Sequence, residues 1–260
     1  MIEITSEHIQ QLIEIESKIQ YSSLPPLGRE PFTIINRDSS VLLSAPHGAI
    51  TFRNSVNEIW HEEDEYTAGL ALLVSDLCQS SVIATKFKND HYDPNYVRDD
   101  NVRYKRAIRS MIERSGVKYV LDLHGAALKS PKLAPAQTID LGYRHDSDHE
   151  RSMGEDHILK LEQLFQAPIE KYDPSCFVVG RNKFPARGSG TITSFVFYCF
   201  GFNTDHKVQS VQIELKPQLR IARRFPSASL YKSCGEFEAD PACIMHTLDV
   251  LVGFIEYLKG

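Results

Sequence analysis

Three stretches of the chain are rich in apolar residues, and each has the length of a buried strand. They occupy residues 41–45, 117–123 and 208–217; His47 and His124 follow the first two, and Glu214 lies near the end of the third. Apolar runs of this length between segments of helical periodicity are typical of a parallel sheet that helices cover on both faces. The pattern therefore predicts an α/β fold with a largely parallel sheet.

Other periodic segments complete the predicted order of elements. Apolar residues recur at helical intervals in residues 5–20, 64–78, 101–115, 148–165 and 244–258, and further strand-like runs cover 32–35, 81–87, 176–179 and 191–200. The turn Asn36-Arg37-Asp38 favours a hairpin between the strands before and after it. No repeat, low-complexity tract or linker divides the chain. We expect one domain over 1–260, with an N-terminal helix and connector (1–30), a core (31–220) and a closing C-terminal helix (221–260).

Composition narrows the class of function. The 260 residues carry a net charge of −5, which provides no basic field to hold nucleic acid or an anionic membrane. The first residues lack a basic region followed by an apolar stretch, so a cytoplasmic protein is expected. The five cysteines are scattered without a CxxC spacing and are predicted to be reduced thiols. The expected partner is a small molecule.

Polar residues stand near the carboxyl ends of the three buried strands. Ligands bind at that edge of an open α/β sheet, so His47, His124 and Glu214 are predicted to converge. A lone histidine there is more often a hydrogen-bonded structural residue, and a lone glutamate is usually solvated. Each histidine precedes a glycine, which lets the backbone turn and leaves space for an ion or substrate beside the ring. The set suggests a metal-dependent hydrolase.

A catalytic zinc needs three protein ligands and one open position for water. The third ligand should be a carboxylate, and the run His61-Glu62-Glu63-Asp64-Glu65 offers four acidic side chains before a predicted helix. Acidic residues also favour a helix N-terminus through the helix dipole alone. The run is therefore either the source of the third ligand or simply the acidic N-terminus of a helix.

Several short motifs, in their order along the chain, resemble those of the N-formylglutamate amidohydrolase family. They are Ser-Ala-Pro-His-Gly at 44–48, Asp-Glu-Tyr-Thr-Ala-Gly-Leu at 64–70, Asp-Pro-Asn at 93–95, Asp-Leu-His-Gly at 122–125 and Gln-Ile-Glu-Leu at 212–215. The resemblance spans residues 40–220. It implies a zinc-dependent amidohydrolase with the three-layer α/β/α fold and mixed, largely parallel sheet of zinc carboxypeptidases.

Carried onto this chain, the resemblance gives metal ligands and a catalytic residue. It makes His47, Asp64 and His124 the zinc ligands, and Glu214 the carboxylate that takes a proton from water and delivers it to the leaving amine. Carboxypeptidases instead have a carboxylate three residues after the first histidine, where this chain has Ile50.

Two assignments stay open in this set. Glu63 and Glu65 are alternatives to Asp64 as the third ligand. Asp122 shares a strand face with His124, so it is either a carboxylate that orients the imidazole or a buried structural group.

Hydrolysis of an N-acyl amino acid also requires groups that bind the carboxylates of the substrate. Asn95, Arg98 and Arg103 lie between a predicted strand and helix, where binding loops belong, and Arg187 lies in the Gly-flanked segment Pro-Ala-Arg-Gly-Ser-Gly. Arginine binds carboxylates bidentately, although each of these is equally an ordinary surface residue. Family members often have arginine directly after the asparagine, but Tyr96 stands there.

The predicted function is zinc-dependent cleavage of the amide bond of an N-acyl amino acid such as N-formylglutamate. A γ-glutamyl or C-terminal peptide bond is an alternative substrate. Two histidines and a carboxylate also describe a non-haem iron oxygenase, but that class is expected to be all-β. A non-catalytic sensor of a small acyl-amino acid is the alternative outside enzymes, and turnover of an amide by the metal-loaded protein separates the two.

Overall fold

The computed structural model describes residues 2–54, 59–144, 151–167, 176–225 and 239–260. Its strands are β1 (Phe32–Ile35), β2 (Val41–Ala45), β3 (Thr51–Asn54), β4 (Ile59–His61), β5 (Ser81–Thr85), β6 (Tyr119–Gly125), β7 (Ile139–Gly142), β8 (Val179–Arg181) and β9 (Gln209–Leu215). Its helices are α1 (Ser6–Glu16), α2 (Thr67–Cys78), α3 (Arg103–Ser115), α4 (Glu155–Gln166), α5 (Ile192–Phe200) and α6 (Pro241–Lys259).

Seven strands form a central sheet in the order β1-β5-β2-β6-β9-β7-β8. The neighbours β5, β2, β6 and β9 run parallel, whereas β1 and β7 join them antiparallel. The mixed, largely parallel sheet is thus confirmed. Its parallel core places the carboxyl ends of β2, β6 and β9 side by side, with His124 in register with Glu214.

Helices cover both faces of the sheet. Along β2, Val41, Leu43 and Ala45 pack with α1, α2, α4 and α6, while Leu42 packs on the opposite face with α3 and α5. This alternation follows from the two-residue period of a strand, and its apolar residues on both faces explain the continuous apolar run in the sequence. The predicted three-layer α/β/α arrangement is confirmed.

Helix α6 is long and apolar enough to cross a membrane by length and composition. In the structure, 61% of its most apolar window is buried, and it packs against α1, α2 and α4. Most of the apolar surface of α6 is therefore covered by other helices of the fold, as it is in a core helix.

Residues 191–200, predicted as a strand, form a helix instead. The side-chain oxygen of Thr191 accepts the backbone N–H of Ser194 at 3.1 Å and so caps α5. Ile192, Phe195 and Val196 then pack against the sheet at helical spacing. The prediction is wrong because a short unbroken apolar run fits a buried helix as well as a buried strand.

The predicted hairpin between β1 and β2 is also wrong. Strand β5 lies between them, antiparallel to β1 and parallel to β2. In the connection, Arg37 donates hydrogen bonds to the carbonyls of Ser75 at 3.0 Å and Ser80 at 2.8 Å. These long-range contacts hold the connection against α2 and the beginning of β5, and local turn residues do not reveal them.

Three short strands were not predicted from the sequence, and two elements have other boundaries than those predicted. Strands β3 and β4 form a separate two-stranded hairpin, and β7 lies between β9 and β8. The strand predicted at 176–179 is found at β8, and the helix predicted at 148–165 begins at Glu155. The beginning of that predicted helix, residues 148–150, lies outside the described residues.

Candidate metal centre

His47 and His124 lie at the ends of two adjacent parallel strands, and both face one carboxylate. Oδ2 of Asp64 is 3.4 Å from Nδ1 of His47 and 3.4 Å from Nδ1 of His124. All three side chains are buried. Asp64 belongs to the connection between β4 and α2, where its backbone N–H donates to the carbonyl of His47 at 2.7 Å.

The far side of each imidazole contacts a second carboxylate. Nε2 of His47 is 2.7 Å from Oδ1 of Asp93, and Nε2 of His124 is 3.0 Å from Oδ2 of Asp122. In the tautomer that donates from Nε2 to these aspartates, each Nδ1 presents a lone pair toward Asp64. A carboxylate behind a ligating imidazole fixes its tautomer and orientation in metal sites.

The glycines after the two histidines make room first of all for protein atoms. A side chain at Gly48 would collide with Ala68 of α2. A side chain at Gly125 would come within 2.9 Å of Cβ of Asp64 and 2.6 Å of the Arg220 guanidinium. Glycine therefore lets α2 and the Asp64 segment approach the strand ends, which is a different role from the predicted space for a ligand.

A divalent cation fits this set of donors in distance. In a tetrahedral zinc site with bonds of about 2.0–2.2 Å, ligand atoms lie about 3.3–3.6 Å apart. Both separations from Asp64, at 3.4 Å, fall in that range. Nδ1 of His47 is also buried without a hydrogen-bond partner among the described residues.

The charge of the cluster fits a divalent cation as well. With neutral imidazoles, the carboxylates of Asp64, Asp93 and Asp122 and the guanidinium of Arg53 leave a net charge of −2. Burying such a charge without compensation is costly, and a divalent cation neutralises it.

The titration of the cluster points the same way. Burial raises the pKa of Asp64, but the imidazoles of His124 and His47, each with Nδ1 3.4 Å away, outweigh it and hold that pKa well below its usual range. Burial lowers the pKa of His124, but the charge of Asp122 and its hydrogen bond raise it well above the usual value. The cluster therefore favours positive charge where the three donor atoms meet.

His61, which was not predicted from the sequence to be a ligand, lies against the same cluster. Its ring stacks on His47 with centroids 3.8 Å apart, and one ligand atom from each of His47, His61 and Asp64 lies within 4.8 Å of the others. Its Nδ1 donates to the carbonyl of Glu62 at 2.6 Å. Burial and the charge of His47 lower the pKa of His61 to about 3, so it is a neutral imidazole and a further candidate ligand.

The two alternatives to Asp64 lie elsewhere. Both oxygens of Glu65 accept hydrogen bonds from Arg224, at 2.6 Å from Nη2 and 3.1–3.2 Å from Nε. Glu63 is buried and, with Glu65, lines a smaller cavity next to Arg220. The structure thus places Asp64 between the histidines and commits Glu65 to an ion pair.

Glu214 lines the cavity in front of the donor atoms. One of its oxygens accepts a hydrogen bond from Nε2 of Gln212 at 2.7 Å, and its strand neighbour is His124. Burial raises the pKa of Glu214 to about 7, against the opposing charge of His124. A carboxyl group that exchanges its proton near neutral pH suits general acid–base catalysis.

Two of the four predicted substrate-binding residues line this cavity, which has a volume of ≈ 450 Å³. They are Asn95, whose Oδ1 accepts the backbone N–H of Ile192 at 2.7 Å, and Arg187. The other two lie elsewhere: Arg98 lines a neighbouring cavity, and Arg103, at the start of α3, forms an ion pair with Glu30.

Two further residues of the site, Arg53 and Asp93, were not predicted from the sequence. Arg53 on β3 lines the cavity, and its Nε and Nη2 each lie 2.9 Å from Oδ2 of Asp93. Asp93 opens the Asp-Pro-Asn motif, which was the available signal for it. Arg53 and His61 belong to the short β3–β4 hairpin, which leaves no periodic signal in the sequence.

Comparison with known proteins reveals a shared fold. No family profile matches the sequence, and no curated protein matches it. The N-formylglutamate amidohydrolase from Ralstonia eutropha JMP134 superposes with a TM-score of 0.52 at 17% identity, over 88% of this chain and 98% of that one. A gene product of Agrobacterium tumefaciens gives a TM-score of 0.52 at 14% identity, over 91% and 99%.

A metallo-carboxypeptidase from Burkholderia cenocepacia gives a TM-score of 0.45 at 11% identity, over 96% of this chain and 68% of that one. The superposition on the Ralstonia eutropha enzyme confirms, at the level of the fold, the resemblance that the sequence motifs indicate. The chain has the fold of this class of hydrolases.

Proposed function

We propose that the chain is a zinc-dependent amidohydrolase that cleaves the amide bond of an N-acyl amino acid of the N-formylglutamate type. One observation carries the proposal: Oδ2 of Asp64 lies 3.4 Å from Nδ1 of both His47 and His124. Each imidazole is backed by another carboxylate, as ligating histidines are. The fold shared with an N-formylglutamate amidohydrolase supports the choice of an amide substrate.

Different residues of the site would bind the metal and transfer the proton in such a reaction. His47, Asp64 and His124 hold the ion. When bound, zinc lowers the pKa of water toward neutrality and polarises the scissile carbonyl. Glu214 takes a proton from water and delivers it to the amine nitrogen as the C–N bond breaks. Its pKa of about 7 lets it act in both directions near neutral pH.

The lining of the cavity suits a substrate that carries a carboxylate. Besides the metal cluster, it includes the cationic side chains of Arg53, Lys132 and Arg187. Asn95, with Oδ1 held by the start of α5, directs its remaining amide group from a fixed position. Cations and an amide at defined places are the groups that fix the orientation of an acidic ligand.

The test combines metal analysis with a substrate panel. Purified protein is expected to bind about one zinc per chain and to release amine from N-formyl-L-glutamate, N-acetyl-L-glutamate, a γ-glutamyl dipeptide or a C-terminal peptide bond. His47→Ala and His124→Ala should lose both zinc and turnover, whereas His206→Ala, an exposed histidine, should keep both.

Two outcomes would reject the proposal. Full zinc occupancy in both histidine variants would remove the ligand assignment. Zinc-loaded protein that binds members of the panel but releases no amine from any of them would identify a binding protein rather than an enzyme.

A further inference from the structure

A second cavity adjoins the one that holds the metal cluster. Its volume is ≈ 560 Å³, and the two cavities share Arg53, Asn95, Gly188 and Thr191 as lining residues. Each cavity alone has the size of a site for a drug-sized ligand, whereas N-formylglutamate has only about a dozen non-hydrogen atoms. The two cavities therefore form one long cleft with more room than a single acyl-amino acid fills.

Arg53 stands where the two cavities meet, and its position is fixed by two contacts. Nε and Nη2 bind Asp93, and the guanidinium lies 5.0 Å from the centre of the Tyr96 ring. Its Nη1 has no hydrogen-bond partner among the described residues, and the side chain is 31% exposed. A guanidinium held in this way has a donor left for an anion and little freedom to lose on binding it.

Tyr96 occupies the position where members of the resembling family often have arginine. In this chain the ring of Tyr96 packs against the guanidinium of Arg53, so a cation from β3 lies beside this loop. The loop is also packed closely: a side chain at Gly190 would collide with the carbonyl of Tyr96. Arg53 on β3, the 93–96 loop and residues 188–190 thus together form the cationic group between the two cavities.

The second cavity contains another cation farther along the cleft. Arg98 lines it, is exposed, and has no ion-pair partner in the ranges that the structure describes. Among the described residues that line this cavity, Asp93 is the one carboxylate, and it is already bound to Arg53 and His47. The sequence of cations along the cleft is therefore Arg53 at the junction and Arg98 beyond it.

We propose that the cleft binds an extended amide substrate with more than one carboxylate, one held by Arg53 at the junction and the next by Arg98 in the second cavity. This inference rests on the proposed function for the position of the scissile bond. It assigns the second cavity as a subsite for the acidic continuation of the substrate, and it makes Arg98 a determinant of substrate length.

Binding of two probes that differ in length tests the subsite. The short probe is N-acetyl-L-glutamate, and the long one is N-acetyl-γ-L-glutamyl-γ-L-glutamyl-L-glutamate. Calorimetry on zinc-loaded Glu214→Gln protein avoids turnover. The long probe should bind at least about tenfold more tightly, the usual size of one charged hydrogen-bond contact.

Two arginine variants and a control then locate the contacts. Arg98→Gln should remove the advantage of the long probe and leave the Kd of the short one unchanged. Arg53→Lys should weaken both probes while zinc content stays the same. Arg114→Gln, an exposed arginine at the far end of α3, should change neither probe.

Equal affinity for the two probes, or an advantage of the long probe that survives Arg98→Gln, would overturn the inference. Amine release by the wild-type chain is measured in parallel, so the two proposals fail separately. A length preference that depends on Arg98 without amine release would leave the subsite and reject the hydrolase. Amine release from the short probe without a length preference would support the hydrolase and reject the subsite.

Discussion

Asp122 and His124 project from the same face of β6, and Oδ2 of Asp122 lies 3.0 Å from Nε2 of His124. The other oxygen of Asp122 accepts a hydrogen bond from the hydroxyl of Ser44 on the neighbouring strand at 2.8 Å. Two strands thus fix the aspartate, and the aspartate fixes the imidazole. Because the residues are two apart on one strand, the contact follows directly from strand geometry.

This relationship predicts a loss of metal affinity when the carboxylate is removed. Asp122→Asn keeps the shape of the side chain but weakens its hold on the imidazole, so zinc affinity should fall by about 10–100-fold. Competition with a chelator measures the change. Asp205→Asn, an exposed aspartate, is the matched control. An affinity equal to that of the wild type would make Asp122 a structural carboxylate only.

The choice between His124 and His61 as metal ligand predicts unequal effects of two alanine variants. Asp64 lies 3.4 Å from Nδ1 of His124, whereas His61 stacks on His47 and belongs to the β3–β4 hairpin. His124→Ala should abolish tight zinc binding, because two ligands remain; His61→Ala should cost less than about tenfold. Metal content after dialysis separates them. The reverse order would assign the ion to the His47, His61 and Asp64 set.

From the position of Glu214 we expect that its substitution lowers kcat without changing zinc content. Glu214→Gln keeps the size of the side chain but cannot accept a proton, so kcat should fall by about 10²–10⁴-fold with zinc retained. Glu113→Gln, on an exposed position of α3, is the control. Loss of zinc in Glu214→Gln would make Glu214 a ligand, and full activity with full zinc would exclude it from catalysis.

The same residue predicts the pH dependence of the wild type. Burial raises the pKa of Glu214 to about 7, and the base must be ionised to act. Activity should therefore rise with pH through this pKa, and a bound cation, which favours the carboxylate, places the rise at or below about 7. In Glu214→Gln the residual rate should lack this rise.

The parallel core of the site could be predicted from the sequence, because a strand-end position depends only on where an apolar run stops. His47, His124 and Glu214 were predicted near strand ends, and all three line the same cavity. The choice among consecutive acidic residues could not be predicted in the same way. It depends on the turn into α2, where Tyr66 has a φ of +68°, and on Arg224, which binds Glu65 from far along the chain.

The arginines that line the cleft could not be told from other arginines by the sequence, because long-range partners decide their positions. Arg53 and Arg103 are both arginines near a strand or helix end, and only their partners distinguish them. Arg103 pairs with Glu30, and Arg53 with Asp93, each across a long separation in sequence. Such pairings depend on which distant segments the fold brings together, and the local sequence does not reveal that.

Glu16 supports the turn that presents Asp64. Its carboxylate, buried at the end of α1, accepts the backbone N–H of Tyr66 at 2.6 Å and of Gly69 at 3.0 Å, and the hydroxyl of Tyr21. These groups stand at the N-terminus of α2, and Tyr66 has left-handed backbone, which costs about 1–2 kcal/mol for a non-glycine residue. Glu16 thus offsets strain two residues after the proposed ligand.

The burial of Glu16 predicts how stability depends on pH. Desolvation raises its pKa from 4.5 to about 7, so between these values the folded chain binds a proton that the unfolded chain has lost. The free energy of unfolding should therefore fall as pH rises from 4.5 to 7, by an amount of up to about 3 kcal/mol from this group. Urea unfolding of the zinc-free protein at pH 5, 6, 7 and 8 measures the slope. Glu16→Gln, which does not titrate, should lose that part of the slope, while Glu14→Gln on the exposed side of the same helix should keep it.

Equal slopes in the wild type and Glu16→Gln would mean that Glu16 is already ionised across this range and acts on α2 as a permanent negative charge.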